Sequence, residues 1–191
     1  MSMKSVAAVV LAAGASTRLG ELKQLACLGK ETLLERAVRV AREAGCSPVL
    51  VVLGAEHARV LGNSQLGDAM PVINDEWDEG MASSIRLGVR AVGSVSKDAE
   101  GVLLMTCDQP AVTAEHLRAL MTRDEVTASL YARRRGVPAY FPADAFQELM
   151  ELRGAAGARD LLRSAKCEEL AGGELDVDTV EDLEQARQLF G

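Results

Sequence analysis

An apolar run at residues 5–10 ends abruptly in Leu-Ala-Ala-Gly-Ala-Ser-Thr-Arg-Leu-Gly-Glu-Leu-Lys, residues 11–23, and this junction sets much of what the chain can fold into. An uninterrupted apolar run reads as a strand buried on both faces, which requires a sheet covered by helices on each side. The small residues that follow let the backbone turn sharply and leave N–H groups to point at an anion, and Arg18 and Lys23 supply positive charge beside them. A nucleoside triphosphate is the expected ligand. The bland alternative is a tight strand-to-helix turn whose Arg and Lys are merely solvated. Neither common phosphate signature is met. Gly29-Lys30-Glu31 is not the end of a Walker loop, and Gly14 and Gly20 are too far apart for a dinucleotide fingerprint.

Strand-like and helix-like segments alternate almost throughout. Strands are predicted at 5–10, 48–53, 71–73 and 101–105, with a hairpin of 128–131 and 138–141 across 133–136, and a last strand at 167–170. Helices are predicted at 33–45, 56–61, 83–92, 113–121, 143–152, 158–164 and 179–190. Thr32 and Glu35 have capping-box spacing, as do Thr179 and Asp182. This order predicts an α/β fold, a mainly parallel sheet with helices on both faces, and ligands beyond the carboxyl ends of its strands.

With 191 residues and 48% hydrophobic content, a single domain with a sizeable core is expected. No apolar run approaches a membrane span, and residues 1–11 lack the pattern of a signal peptide, so a cytoplasmic protein is expected. Four scattered cysteines argue against a zinc site or a disulfide framework. The net charge of −7 argues against general nucleic-acid or membrane binding. Its distribution is uneven: residues 1–45 carry seven Lys or Arg against four Glu, while residues 166–191 carry two against eight carboxylates. One end suits phosphates, and the other offers metal ligands or simply a solvated helix face.

Four later segments carry candidate chemistry. Thr106-Cys107-Asp108-Gln109-Pro110 follows a strand directly, so Asp108 either projects a carboxylate into the cleft for Mg²⁺ or closes an Asx turn. Asp176 and Asp178 point the same way only in extended chain, and they equally suit an acidic helix N-terminus. Residues 74–84 place the only tryptophan, Trp77, ahead of Gly80, Ser83 and Ser84. Gly80 allows close approach of a base or sugar, while the serines cap a helix or bond a ligand. Arg133, Arg134 and Arg135 offer an anion site or a solvated tip.

The loop at 11–23 resembles the signature of the nucleotidyltransferases related to the molybdenum cofactor guanylyl- and cytidylyltransferases, and the segments at 74–84, 106–110 and 176–182 are similar to that family's. The resemblance implies a three-layer, Rossmann-like domain of the nucleotide-diphospho-sugar transferase type. Residues 1–110 would be its nucleotide-binding part, and the remainder its acceptor-binding part. It implies a Mg²⁺-dependent transfer of CMP from CTP to the terminal phosphate of molybdenum-bearing molybdopterin, with a molybdoenzyme as a possible partner. The nucleotide would be held by Leu11, Ala12, Ala13, Gly14, Ser16, Arg18, Lys23, Gly80, Ser83 and Ser84. Arg18, Lys23 and Asp108 would be catalytic, with Asp108 and Asp178 on the metal. Ala13, where the guanylyl branch has Gly, leans toward CTP. The chain departs from the family where Val137 replaces a His and where no acidic residue follows Gly154, both in the acceptor half. Alternatives are GTP as donor, a sugar or polyol phosphate as acceptor, and a non-enzymatic cofactor carrier. The oligomeric state is left open.

Overall fold

The computed structural model describes residues 4–15 and 18–191. In chain order the elements are β1 (Val6–Ala12), a short hairpin of β2 (Cys27–Leu28) and β3 (Glu31–Thr32), α1 (Leu33–Glu43), β4 (Val49–Leu53), α2 (His57–Gly62) and β5 (Met70–Ile73). Then follow α3 (Met81–Val95), β6 (Gly101–Thr106), α4 (Ala114–Met121), β7 (Thr127–Tyr131), β8 (Arg134–Pro142), α5 (Phe146–Glu151), β9 (Lys166–Glu169) and α6 (Val180–Phe190).

Seven strands form one sheet in the order β5-β4-β1-β6-β8-β7-β9. β5, β4, β1 and β6 run parallel, β8 is antiparallel to both β6 and β7, and β9 is parallel to β7. The fold class read from the sequence is therefore the observed one, and β7–β8 is the antiparallel addition.

Alternation along β1 explains the two helix layers. Val6, Ala8, Val10 and Ala12 enter one core with α1 and α4, while Ala7, Val9 and Leu11 enter a second core with α3 and α5. Every residue of β1 is buried, as a strand covered on both faces must be. Gly88 lets α3 lie close on the sheet, since a Cβ there would come within 2.5 Å of Val9 Cγ1. A third, smaller cluster joins α6 to the segment after the Gly14 loop through Leu19, Ala26, Leu28, Val177, Leu183 and Ala186. Among the described residues no helix is long and apolar enough to cross a membrane.

Local signals performed well where capping was involved. Thr32 and Glu35 exchange bonds of 3.2 and 2.9 Å, and Thr179 and Asp182 do likewise at 3.2 and 2.8 Å. Differences arise at turns. The hairpin turn is shorter than expected: Ala132 and Arg133 alone connect the strands, both at positive φ (46° and 61°), so Arg134 and Arg135 are already paired in β8. Helix α3 begins at Met81, two residues early, and 143–145 is a 3-10 turn preceding α5. The helix predicted at 158–164 is a series of turns. Positive φ at Gly154 and Gly157 bends the chain ahead of it, and its bonds are mainly i to i+3, including Arg159 to Ala156 and Arg163 to Asp160.

His116 in α4 is buried, with Nε2 2.7 Å from Ser129 Oγ in β7. Burial holds its pKa below the ordinary histidine value, against a smaller upward pull from Glu168. The imidazole thus stays neutral in the fold while the unfolded chain takes up a proton. Stability from this group is lost as pH falls below ~6.5. His116→Gln is expected to show a smaller Tm decrease than wild type between pH 7.5 and 5.5, and parallel Tm curves for the two proteins would contradict this.

Candidate active site

The carboxyl ends of β1 and β6 lie side by side, with Leu11 in register with Thr106, so the Gly14 loop and Asp108 emerge at the same edge. β4 and β5 end there too, which brings Gly54 and the 74–84 segment alongside. A cleft of about 310 Å³ opens at this edge, lined by Leu11, Ala12, Ala13, Gly14, Lys23, Gln24, Trp77, Asp78, Gly80, Met81, Ser84 and Thr106 to Asp108.

The loop is held from beneath. Gln24 is fully buried, and its amide donates to the carbonyls of Ala12 (2.8 Å) and Gly14 (2.9 Å). Ala55 N–H donates to Ala13 O at 3.2 Å. Gly54 allows this close seating, because a Cβ there would lie 2.8 Å from Ala13 O and 2.5 Å from Trp77 Cβ. Nothing in the sequence pattern marks Gln24, an amide between Lys23 and Leu25, and it was missed.

Electrostatics converge on Lys23. Its ammonium donates to Asp108 Oδ2 at 2.6 Å and to Asp178 Oδ1 at 3.0 Å, and Arg18 donates to the other oxygen of Asp178 at 2.8 Å. Burial by itself would depress the Lys23 pKa, but Asp108 and then Asp178 override it and hold the side chain charged. The 176–178 segment has no regular secondary structure and is tied in by Val177 N–H donating to Asp108 O at 2.9 Å. Asp176 is half-buried beside these carboxylates, and burial, then Asp108 and Asp178, push its pKa up to about 6. Cys107 is buried too, and burial first and Asp108 second raise its thiol to about 12.

The sequence-predicted residues divide accordingly. Leu11, Ala12, Ala13, Gly14, Lys23, Gly80, Ser84 and Asp108 line the cleft, and Arg18 and Asp178 join it through their ion pairs. Ser16 lies outside the described residues. Ser83 is not in the lining. Its buried hydroxyl lies 2.9 Å from the carbonyls of Glu76 and Gly80, and Asn74 Nδ2 donates to both Ser83 and Ser84 at 2.9 Å. Neither serine caps the helix; the N-cap of α3 is Gly80. Gly80 is required by its φ of 106° and by the backbone of Ala155, 2.8 Å from where a Cβ would be. Its openness therefore serves chain packing as well as the cleft.

A larger cavity of about 600 Å³ adjoins the first and shares Met81, Thr106 and Asp108 with it. Its remaining walls include Gln109, Tyr131, Arg133 to Val137, Arg159, Arg163 and Asp176. Two cavities meeting at one carboxylate suit a reaction between two bound molecules.

Among the described residues no group of three or more His, Cys, Asp or Glu side chains has metal-binding geometry. The donor set nonetheless fits a hard divalent cation that takes its remaining ligands from phosphate. Two carboxylates, Asp108 and Asp178, are brought to one small cation, the Lys23 ammonium.

The comparisons agree with this architecture. The chain belongs to the family of MobA-like NTP transferase domains, whose model matches residues 8–170. It is 30% identical to the purine catabolism protein PucB of Bacillus subtilis over 94% of this chain and 95% of that protein. It is 31% identical to nicotine blue oxidoreductase of Paenarthrobacter nicotinovorans over 93% and 94%. The crystal structure of Rv0371c from Mycobacterium tuberculosis superposes with a TM-score of 0.85 at 32% identity, covering 98% of this chain and 100% of that one. A structure of Rv0371c in complex with manganese superposes at 0.79, with 29% identity over 97% of this chain and 100% of that one.

Replacing Gln24 by Ala strands two loop carbonyls without their donors. Gln24→Ala is expected to cost about 1–3 kcal/mol of stability and to weaken nucleotide binding roughly tenfold or more through loss of loop positioning. Urea unfolding and calorimetric titration check this. Wild-type values in both would show that the loop does not depend on the amide.

Proposed function

We propose that this chain is a Mg²⁺-dependent cytidylyltransferase that joins CMP from CTP to the terminal phosphate of a molybdopterin-type acceptor and releases pyrophosphate. The observation that carries the reading is the meeting of two cavities at Asp108, one walled by the Gly14 loop and the other by arginines. The preference for CTP rests on Ala13 and on the resemblance of the loop to the cytidylyl branch. The four free cysteines suit a reducing, cytoplasmic setting.

The chemistry asks for positioning and charge neutralisation. A phosphate acceptor is already anionic, so no general base is required. Cys107 is no nucleophile, because its thiol is buried and protonated at neutral pH. The Gly14 loop, fixed from below by Gln24, presents its backbone to the triphosphate. Arg18 and Lys23 turn from their carboxylates toward the phosphates and stabilise charge on the α-phosphate and the departing pyrophosphate. Asp108 and Asp178 would hold Mg²⁺, which when bound offsets charge on the phosphate oxygens. Trp77, Gly80, Met81 and Ser84 form the wall available to the base and sugar.

The test compares the four ribonucleoside triphosphates with Mg²⁺ in thermal-shift and calorimetric titrations. CTP is expected to raise Tm most, because ligand binding to the folded state alone stabilises it. A stronger effect of GTP would refute the choice of donor, and binding of none of the four would refute the function. In a pyrophosphate-release assay, Asp108→Ala is expected to abolish turnover while remaining folded. Lys23→Ala is expected to lower turnover roughly 100-fold or more and to weaken binding of CTP. Wild-type turnover by Asp108→Ala would overturn its assignment.

A further inference from the structure

The larger cavity is a concentration of guanidinium groups on a chain whose overall charge is −7. Arg133 comes from the β7–β8 turn, Arg134 and Arg135 from the start of β8, and Arg159 and Arg163 from the turns at 156–163. Among the described residues, the carboxylates in the lining are Asp108, which is engaged by Lys23, and Asp176.

Of these five arginines, Arg163 pairs with a carboxylate, Asp160, at 2.9 Å. Elsewhere several arginines are taken up by carboxylates, Arg39 by Glu31 and Glu43, Arg59 by Glu56, Arg86 by Glu79 and Arg123 by Glu168, while Arg118, Arg153 and Arg187 donate to backbone carbonyls instead. Among the described residues no ion pair involves Arg133, Arg134 or Arg159, although all three line the cavity. Two of the set are also oriented. Arg134 lies with its guanidinium carbon 5.8 Å from the centre of the Tyr131 ring, and Arg135 Nε donates to Ala165 O at 2.9 Å. Tyr131 is itself fixed by its hydroxyl donating to Val137 O at 3.1 Å. Gly136 lets that ring lie against β8, because a Cβ there would collide with the Tyr131 hydroxyl.

One phosphate does not account for this supply of charge. A phosphate monoester carries about −1.5 to −2 at neutral pH, which two guanidiniums neutralise. The attacking phosphate must also reach the junction at Asp108, where the two cavities share their lining. Arginine forks recognise planar or tetrahedral oxyanions through paired N–H donors, and a neutral polyol gives them no countercharge.

We propose that this cavity selects an acceptor carrying a second anionic group besides its attacking phosphate, and that Arg134 and Arg159, from two separate segments of its lining, hold that second group. The inference rests on the cytidylyltransferase reading and narrows it: a phosphorylated neutral sugar or polyol leaves these arginines unmatched.

The test uses the full chain saturated with Mg²⁺ and α,β-methylene-CTP, titrated calorimetrically with 3-phosphoglycerate, glycerol 3-phosphate and glycerol. The first carries two anionic groups, the second one and the third none. 3-Phosphoglycerate is expected to bind roughly tenfold or more tightly than glycerol 3-phosphate, and glycerol to give no heat. The Arg134→Ala/Arg159→Ala double variant is expected to lose that preference while binding the CTP analogue as wild type does, which also verifies its fold. Arg159→Ala alone serves if the double variant does not fold. Equal binding of the two anions, an undiminished preference in the variant, or binding of neither anion would overturn the proposal. Failure of the CTP analogue to bind would instead remove the donor assignment, and the same anion titrations run without nucleotide would still decide the cavity's preference.

Discussion

The site depends on one ammonium shared between two carboxylates. Lys23 and Asp108 are both largely buried, with side-chain exposures of 18% and 15%, so each would be costly to keep charged alone. Together with Asp178 they form a charged set whose members justify one another. The pairing also joins three parts of the chain: the segment after the Gly14 loop, the end of β6 and the stretch leading into α6. Remove the lysine and two carboxylates face one another across a poorly solvated edge; remove the carboxylates and a buried cation is stranded. The balance explains how a chain rich in acidic residues keeps a cation at a site suited to phosphate.

That charged set relies on rigid support. β1 is buried on both faces and forms the centre of the parallel part of the sheet, so the point at which the Gly14 loop leaves it is fixed. Gln24 carries this rigidity into the loop through two carbonyls. On the other side, Val177 anchors the acidic segment twice, with its side chain in the third core and its N–H on Asp108 O. Backbone bonds and apolar packing set the positions, and the charged side chains meet across the gap that results.

The sequence was most informative where a signal is local. Apolar runs gave the strands of the parallel half, and capping pairs at Thr32–Glu35 and Thr179–Asp182 gave the helix starts that flank the site. Residue types after strand ends gave Lys23 and Asp108 as candidates, the family resemblance added Asp178, and the structure brings these three together. Three kinds of feature were less legible. The apolar spacing over 158–164 mimics a helix, but the positive-φ glycines before it and i to i+3 bonding produce turns instead. Gln24 has no periodic or compositional signature, since its role exists only once two carbonyls curl around it. Arg159 and Arg163 lie far in sequence from Arg133 to Arg135, so their common cavity follows from tertiary packing alone.

The two cavities also explain why the carboxylates lie where they do. Under the proposed reaction both molecules arrive as anions, and bringing two phosphates into contact is opposed by repulsion that weakens only slowly with distance in a poorly solvated cleft. Arg18 and Lys23 offset the charge on one side of the junction, and the arginines of the larger cavity offset it on the other. Asp108 lies between them, in both linings, where a bare carboxylate would repel each reactant. Its presence there makes electrostatic sense only with a cation against it. Lys23 fills that part in the structure, and a divalent ion would fill it once the lysine turns to the phosphates. The acidic pair and the basic walls are thus parts of one arrangement, each tolerable in the cleft because of the other.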